Sequence, residues 1–239
     1  MRFLIITKKQ LMLGICALIA VIAVVIGSAA AFAGNDRKLP IYCVETEKKQ
    51  IAISFDAAWG NDDTQTLIDI LKEYNVPATF FVVGSWVDKY PESVKALSDA
   101  GHQVQNHSNT HPHMPQLSKQ QMRDELESCN SKIKAITGVC PTLLHPPCGG
   151  YDSALIETVD SLDWKESATP DSIFKRVTGR VTNGSIVLFH NDADHTPEAL
   201  PGILKCLKEQ GYEFVFISDL ILKDNYTIDH TGKQCPSAA

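Results

Sequence analysis

The sequence predicts an α/β fold, a closed or nearly closed barrel of parallel strands wrapped by helices. Short, nearly continuous apolar runs alternate with amphipathic stretches past residue 36, the pattern of parallel strands covered by helices. About six such units follow one another, which favours a barrel over a doubly wound sheet. Successive apolar runs end in Asp, Asn or His, and strand carboxyl ends converge on one rim of a barrel.

The strands are expected at 51–55, 78–83, 102–107, 142–145, 185–190 and 213–217. Helices are expected at 64–74, 91–100, 118–136, 152–159, 170–179 and 196–210. Ser118 with Gln121 reads as a capping box. Pro91 and Pro197 stand where helices begin, and Gly101, Gly138 and Gly211 stand where they end. The stretch from Lys223 onward, "KDNYTIDHTGKQCPSAA", reads as a polar tail over 223–239.

The N-terminus has a different character. Arg2, Lys8 and Lys9 precede "LMLGICALIAVIAVVIGSAAAFAG", residues 11–34, which carries no charge. About 20 apolar residues suffice to cross a bilayer as a helix, and the basic flank would stay in the cytoplasm. Residues 1–34 are therefore expected to be a single-pass anchor with the remainder outside. The alternative is a signal peptide cut after Ala31-Phe32-Ala33, which would make the protein secreted. Residues 35–47 would be a linker and a first strand.

The chain has 239 residues and a formal net charge of −6. No basic stripe is present to neutralise phosphates, which argues against a nucleic-acid partner. No glycine-rich loop follows a strand, which argues against nucleotide binding. Six of the seven cysteines lie beyond the apolar segment, in a region where export permits disulfides. No C-x-x-C spacing points to a zinc–thiolate site.

The polar strand ends carry the chemistry. Asp56 ends the first core strand, Asn106 and His107 the third, His145 the fourth and His190 the fifth. His107 and His111 are spaced i, i+4. A helical turn after the strand would put both imidazoles on one face, able to hold a divalent ion. His113 follows Pro112 and is expected to point away. A carboxylate base with an imidazole acid is the usual pair for hydrolysis, and a metal would lower the pKa of bound water.

Five stretches, "SFDAAWGNDDT", "NHSNTH", "HPPCGGY", "DSLDW" and "IVLFH", occur in this order. They resemble the motifs of the polysaccharide deacetylase family (NodB homology, carbohydrate esterase 4), and most closely its sporulation-associated branch. The resemblance covers residues 48–222. It implies a distorted (β/α) barrel and metal-dependent removal of N- or O-acetyl groups from a cell-wall glycan such as peptidoglycan. By position it implies Asp56 as catalytic base, His107 and His111 as metal ligands, and His190 as general acid. It also implies Asp163 and Trp164 as the pair that orients the acid and walls the groove. Leu188 would line the acetyl pocket, the Cys148 N–H would serve the oxyanion, and Tyr151 would face substrate. One divalent ion is implied, Zn first, with Co or Ni compatible with histidine ligation.

Departures from the family pattern are specific. Ala57 stands where a metal-binding aspartate is usual, so the ion would rely on the two histidines and water, with Asp62 or Asp63 of the following turn as candidate further ligands. His145 stands where an arginine usually pairs with the base, and Cys148 where tyrosine is usual. The segment between Pro147 and Asp160 has room for a helix but not for a further strand, so the barrel is expected to be short of one strand. These departures keep a second reading open, a catalytically impaired glycan-binding or structural relic. A phosphoesterase would want more carboxylate or basic groups than this rim offers.

Overall fold

The computed structural model describes residues 39–147 and 159–237. The membrane-anchor or signal segment at 1–34, the site residues Cys148 and Tyr151, and all but the last residue of the helix expected at 152–159 lie outside the described residues, and that last residue, Val159, is in a strand. Among the described residues no helix is long and apolar enough to cross a membrane.

The core strands are β2 (Gln50–Ala57), β3 (Ala78–Val82), β4 (Gln103–Asn106), β5 (Val159–Asp160) and β6 (Ile186–His190). All pair in parallel in the order β4-β3-β2-β6-β5, and Leu144 adds a parallel bridge to Asn106. Read cyclically, the order is β2, β3, β4, Leu144, β5, β6 and back to β2, that of a barrel traversed once. Among the described residues no ladder joins β5 to the Leu144 segment. The short β7 (Glu213–Phe214) pairs with the start of β2.

Two departures from expectation concern strands. The strand thought to be missing before "DSLDW" is present as β5, cut to two residues, so the barrel keeps its order. The run at 142–145 is a single bridge, because Pro146 and Pro147 follow at once and cannot donate to a ladder. The sequence also left two short helices unmarked: α2 (Gly84–Lys89) and α7 (Ile217–Leu220). Each is too short for a clear apolar period.

The long helices follow their signals. They are α1 (Thr64–Glu73), α3 (Pro91–Asp99), α4 (Lys119–Thr137), α5 (Pro170–Thr178) and α6 (Thr196–Glu209). Ser118 and Gln121 form the expected capping box at α4, and Gly138 ends that helix at φ 75°, a left-handed conformation in which a Cβ would be strained.

Strand alternation sorts the side chains. Ile51, Ile53, Phe55 and Ala57 of β2 face outward and join Phe80, Val187 and Phe189 beneath the helices. Phe55 stacks on Phe80 at 4.7 Å and on Phe189 at 5.5 Å between ring centroids. Replacing Phe55 with Ala would cost about 3–5 kcal/mol by the usual cavity cost. The inner face carries Ala52, Phe81 and Ile186, and Ile217 and Leu220 of α7 pack against them with Val44.

The C-terminal tail is not a loose polar extension. It forms β8 (Tyr226–Ile228) and β9 (Lys233–Pro236), and β9 pairs with β1 (Cys43–Val44). Gln234 is fully buried and exchanges two hydrogen bonds with the Leu222 backbone. Its polar composition hid a strand held by one buried amide.

Candidate active site

Side chains alternate with period two along a strand. Asp56 therefore shares the inner face with Ala52, two pairs back along β2. It is the register partner of His190 on the adjacent strand β6, so the two side chains stand side by side at the carboxyl ends. Asn106 and Leu144 are likewise partners. The residues that follow them, His107 and His145, lie with rings stacked 5.3 Å apart and only 11° from parallel. Two in-register pairs thus put one carboxylate and three imidazoles on one rim.

Each pair has its own anchor. His145 Nδ1 lies 2.8 Å from both oxygens of Asp56. Burial alone would raise the Asp56 carboxyl. The charges of His107 and His145 outweigh it and hold the group well below the usual carboxylate range. Burial also opposes the His145 imidazolium, but the Asp56 charge and hydrogen bond win and raise its pKa. His107 lies with Nε2 3.5 Å from Asp56. Burial pushes its pKa down to about 4, so at neutral pH this contact joins a neutral ring to a carboxylate.

On the other side His190 Nδ1 lies 2.8 Å from Asp163 Oδ1. The second oxygen of Asp163 accepts the His190 backbone N–H at 2.8 Å and the Thr196 hydroxyl at 2.6 Å. Burial would lower the His190 pKa, and the Asp163 hydrogen bond and charge raise it overall. With Nδ1 committed to Asp163, Nε2 is the nitrogen left to exchange a proton.

The loop after β4 is not helical, contrary to the i, i+4 expectation. Ser108 and His111 take left-handed backbones, φ 67° and φ 59°. The Asn106 carboxamide accepts the Ser108 N–H, and the Ser108 hydroxyl accepts the His111 N–H. Glu125 of α4 accepts the N–H groups of Asn109 and Thr110. This tight loop brings the His111 ring within 5.0 Å of His107 by another route. His113 is exposed.

Donor atoms of Asp56, His107 and His145 lie within 4.8 Å of one another. The His107 Nδ1 contact with the His145 carbonyl, 2.6 Å, requires an N–H there and leaves Nε2 its lone pair. Nitrogen and carboxylate donors of this kind fit a zinc-like divalent ion. Asp62 and Asp63 are not in this cluster. Asp62 is exposed, and Asp63 accepts the Asp192 N–H at the start of α1. Ala57 is buried in the outer apolar cluster.

Trp164 is 53% exposed, and Leu188 is half-buried on β6. A cleft of about 250 Å³ is lined by Trp59, Asp163, Trp164 and His190. Sequence reasoning missed Thr196 and Trp59. Nothing local marks Thr196, whereas the tryptophan in "DAAWGN" was in plain view.

Residues 44–166 match the profile described as polysaccharide deacetylase. The chain belongs to the polysaccharide deacetylase family. Among its relatives, YlxY of Bacillus subtilis is 31% identical over 194 residues, 76% of this chain and 60% of that protein. PgdA of Listeria monocytogenes, a peptidoglycan-N-acetylglucosamine deacetylase, is 35% identical over 192 residues, 77% of this chain and 41% of that protein. The chain thus spans less than two thirds of either relative. Among solved structures, BA3943 of Bacillus anthracis is described as a CE4 family pseudoenzyme. It is 36% identical, with a TM-score of 0.70, over 76% of this chain and 68% of that one. A mutant of BA3943 described as having restored enzymatic activity also matches at 36% identity and a TM-score of 0.70. This member of the deacetylase family therefore resembles both active and inactive relatives.

Proposed function

We propose that the chain hydrolyses acetyl groups, N- or O-linked, from a peptidoglycan-like cell-wall glycan, with weak activity, in the service of sporulation. The register pairing of Asp56 with His190 carries this reading. It sets a base and an acid side by side, each with its own partner, His145 and Asp163. A pure binding protein has no use for two such couples.

The chemistry follows from the protonation states. Asp56 is ionised and accepts a proton from the water that attacks the acetyl carbonyl. His190, protonated and held by Asp163, gives its Nε2 proton to the leaving nitrogen or oxygen as the carbonyl–heteroatom bond breaks. Acetate and the free amine or alcohol result. A divalent ion held by His107 and His111 would supply Lewis acidity at that carbonyl. The Cys148 N–H is assigned the oxyanion role and Tyr151 a substrate contact, both by position in the motif. Leu188 and Trp164 are assigned the acetyl pocket and the groove wall. Acetate release from N-acetylated glycan fragments, with and without added Zn, tests the reading. No release under any metal load contradicts it.

A specific observation supports a second reading, the impaired relic. Asp56 itself belongs to the cluster with His107 and His145. With Ala57 in place of a carboxylate, an ion held by that cluster would consume the base. The likeness to BA3943 favours the same view. Asp56→Asn separates the two. Metal binding survives it if His107 and His111 hold the ion, and is lost if Asp56 does.

Residues 1–34 are assigned as a membrane anchor that leaves the domain outside the cytoplasm, on the charge asymmetry of their flank. External protease should digest the domain on wall-stripped cells, and protection would refute that topology.

A further inference from the structure

Trp59 stands on the loop between β2 and α1 and is 55% exposed. Its ring centroid lies 6.4 Å from that of His111 and 6.1 Å from that of His190. It therefore sits between the metal-side and acid-side residues of the rim. An indole left this open gains little from packing.

Its backbone is nevertheless held tightly. The Ala58 N–H donates to the Asn191 carboxamide at 3.1 Å, and the Gly60 N–H donates to Asp192 at 3.1 Å. The Gly60 carbonyl accepts from the Trp86 indole at 2.8 Å and also from Asn191. A Cβ at position 60 would fall 2.3 Å from the Asp192 carboxylate and push that side chain off the Gly60 N–H it accepts from. Both residues flanking Trp59 are thus tied to the loop that follows His190.

Trp164, the other indole of the cleft, is situated differently. The Lys165 ammonium lies 5.5 Å over its ring. No cation lies over Trp59 among the described residues. The cleft between the two indoles, about 250 Å³, is at the small end for ligand sites and suits about one sugar ring.

We infer that Trp59 is a sugar-stacking residue: its fixed, open indole receives the apolar C–H face of a pyranose ring and seats an N-acetylhexosamine beside His190. This rests on the glycan reading above but not on turnover. A rigid aromatic offers contact area at little entropic cost, since its backbone is already fixed. Trp59 would then set which glycans bind, favouring rings with an unsubstituted face.

The test is calorimetric titration of the full chain with the β-1,4-linked N-acetylglucosamine tetramer. Wild type is compared with Trp59→Ala, Trp59→Leu and Trp59→Phe, with thermal melts as a check on folding. Trp59→Ala should weaken binding roughly 5- to 10-fold, in line with the worth of aromatic stacking. Trp59→Phe should recover most of the loss. Trp59→Leu, which keeps an apolar cover over the histidines but no π-face, should not. Equal affinity in wild type and folded Trp59→Ala overturns the inference, as does full recovery by Trp59→Leu or no binding by wild type. Parallel acetate assays keep the two readings apart. Trp59-dependent binding without acetate release refutes the hydrolase reading alone, and acetate release with Trp59-independent binding refutes the stacking alone.

Discussion

His145 reaches both carboxylate oxygens of Asp56 through a single nitrogen, 2.8 Å from each. An arginine, usual at this position in the family, would offer two N–H groups in a rigid fork and a permanent charge. Here one N–H is shared between two acceptors, and its charge depends on the proton His145 holds. The base is oriented, but by a weaker and titratable partner.

His145→Ala should therefore lower acetate release by about ten-fold or more, with the fold unchanged. His145→Arg should raise it, because the rim is intact and Asp56 faces the same residue. The comparison is of kcat at one metal concentration. Equal rates in all three proteins would show that the partner of Asp56 does not matter.

A second expectation concerns pH. Asp163 raises the His190 pKa above its ordinary value. A rate carried by protonated His190 is full below that pKa and falls as pH rises through it. Asp163→Asn removes the charge, so the alkaline limb of kcat should move to lower pH. Thr196→Val, which removes a hydrogen bond that draws charge off Asp163, should move it slightly the other way, to higher pH. An alkaline limb unmoved by Asp163→Asn would assign it to another group.

Stability should respond to acid through the buried imidazoles. Burial pushes His102 and His107 each down to about 4. Unfolded histidine takes up its proton near pH 6.5, so between those values the unfolded chain binds more protons. The stability these two histidines contribute is full above about pH 6.5 and is lost as pH falls toward 4, offset in part by Asp63, which burial raises to about 6. Melting temperature should drop across that window, and less steeply in His102→Leu, which also removes a buried nitrogen that has no hydrogen-bond partner.

How much of this the sequence disclosed depends on what holds each part in place. The rim residues were legible because strand parity and strand ends are local: Asp56, His107, His145 and His190 all close apolar runs. β5 was hidden because two residues show no period. The link from His107 to His111 was foreseen for the wrong reason, since left-handed backbones at Ser108 and His111, not a helical turn, bring the rings together. The Asp56–His145 contact is not legible in the sequence, because it joins residues 89 positions apart on different strand ends. Thr196 and Gln234 act across the fold, and no pattern near them announces it.

Metal binding gives a further expectation. One divalent site should appear in calorimetric titration, and His107→Ala should abolish it. The site should be weak, since position 57 offers no carboxylate. Ala57→Asp should tighten it only if the new carboxylate turns from the outer apolar cluster to the end of β2, and unchanged affinity would show that it stays there. Undiminished binding in the His107→Ala, His111→Ala double variant would move the site elsewhere.

The central claim is that Asp56 and His190 act as base and acid. Its most direct test is acetate release from N-acetylated glycan by wild type, Asp56→Asn and His190→Ala under the same metal load. Wild type should turn over slowly but measurably. Each variant should lose about 10²–10⁴-fold, the usual worth of general acid–base catalysis, while His190→Ala binds metal as wild type does. Three equally inactive proteins would contradict the claim and leave the glycan-binding relic in its place.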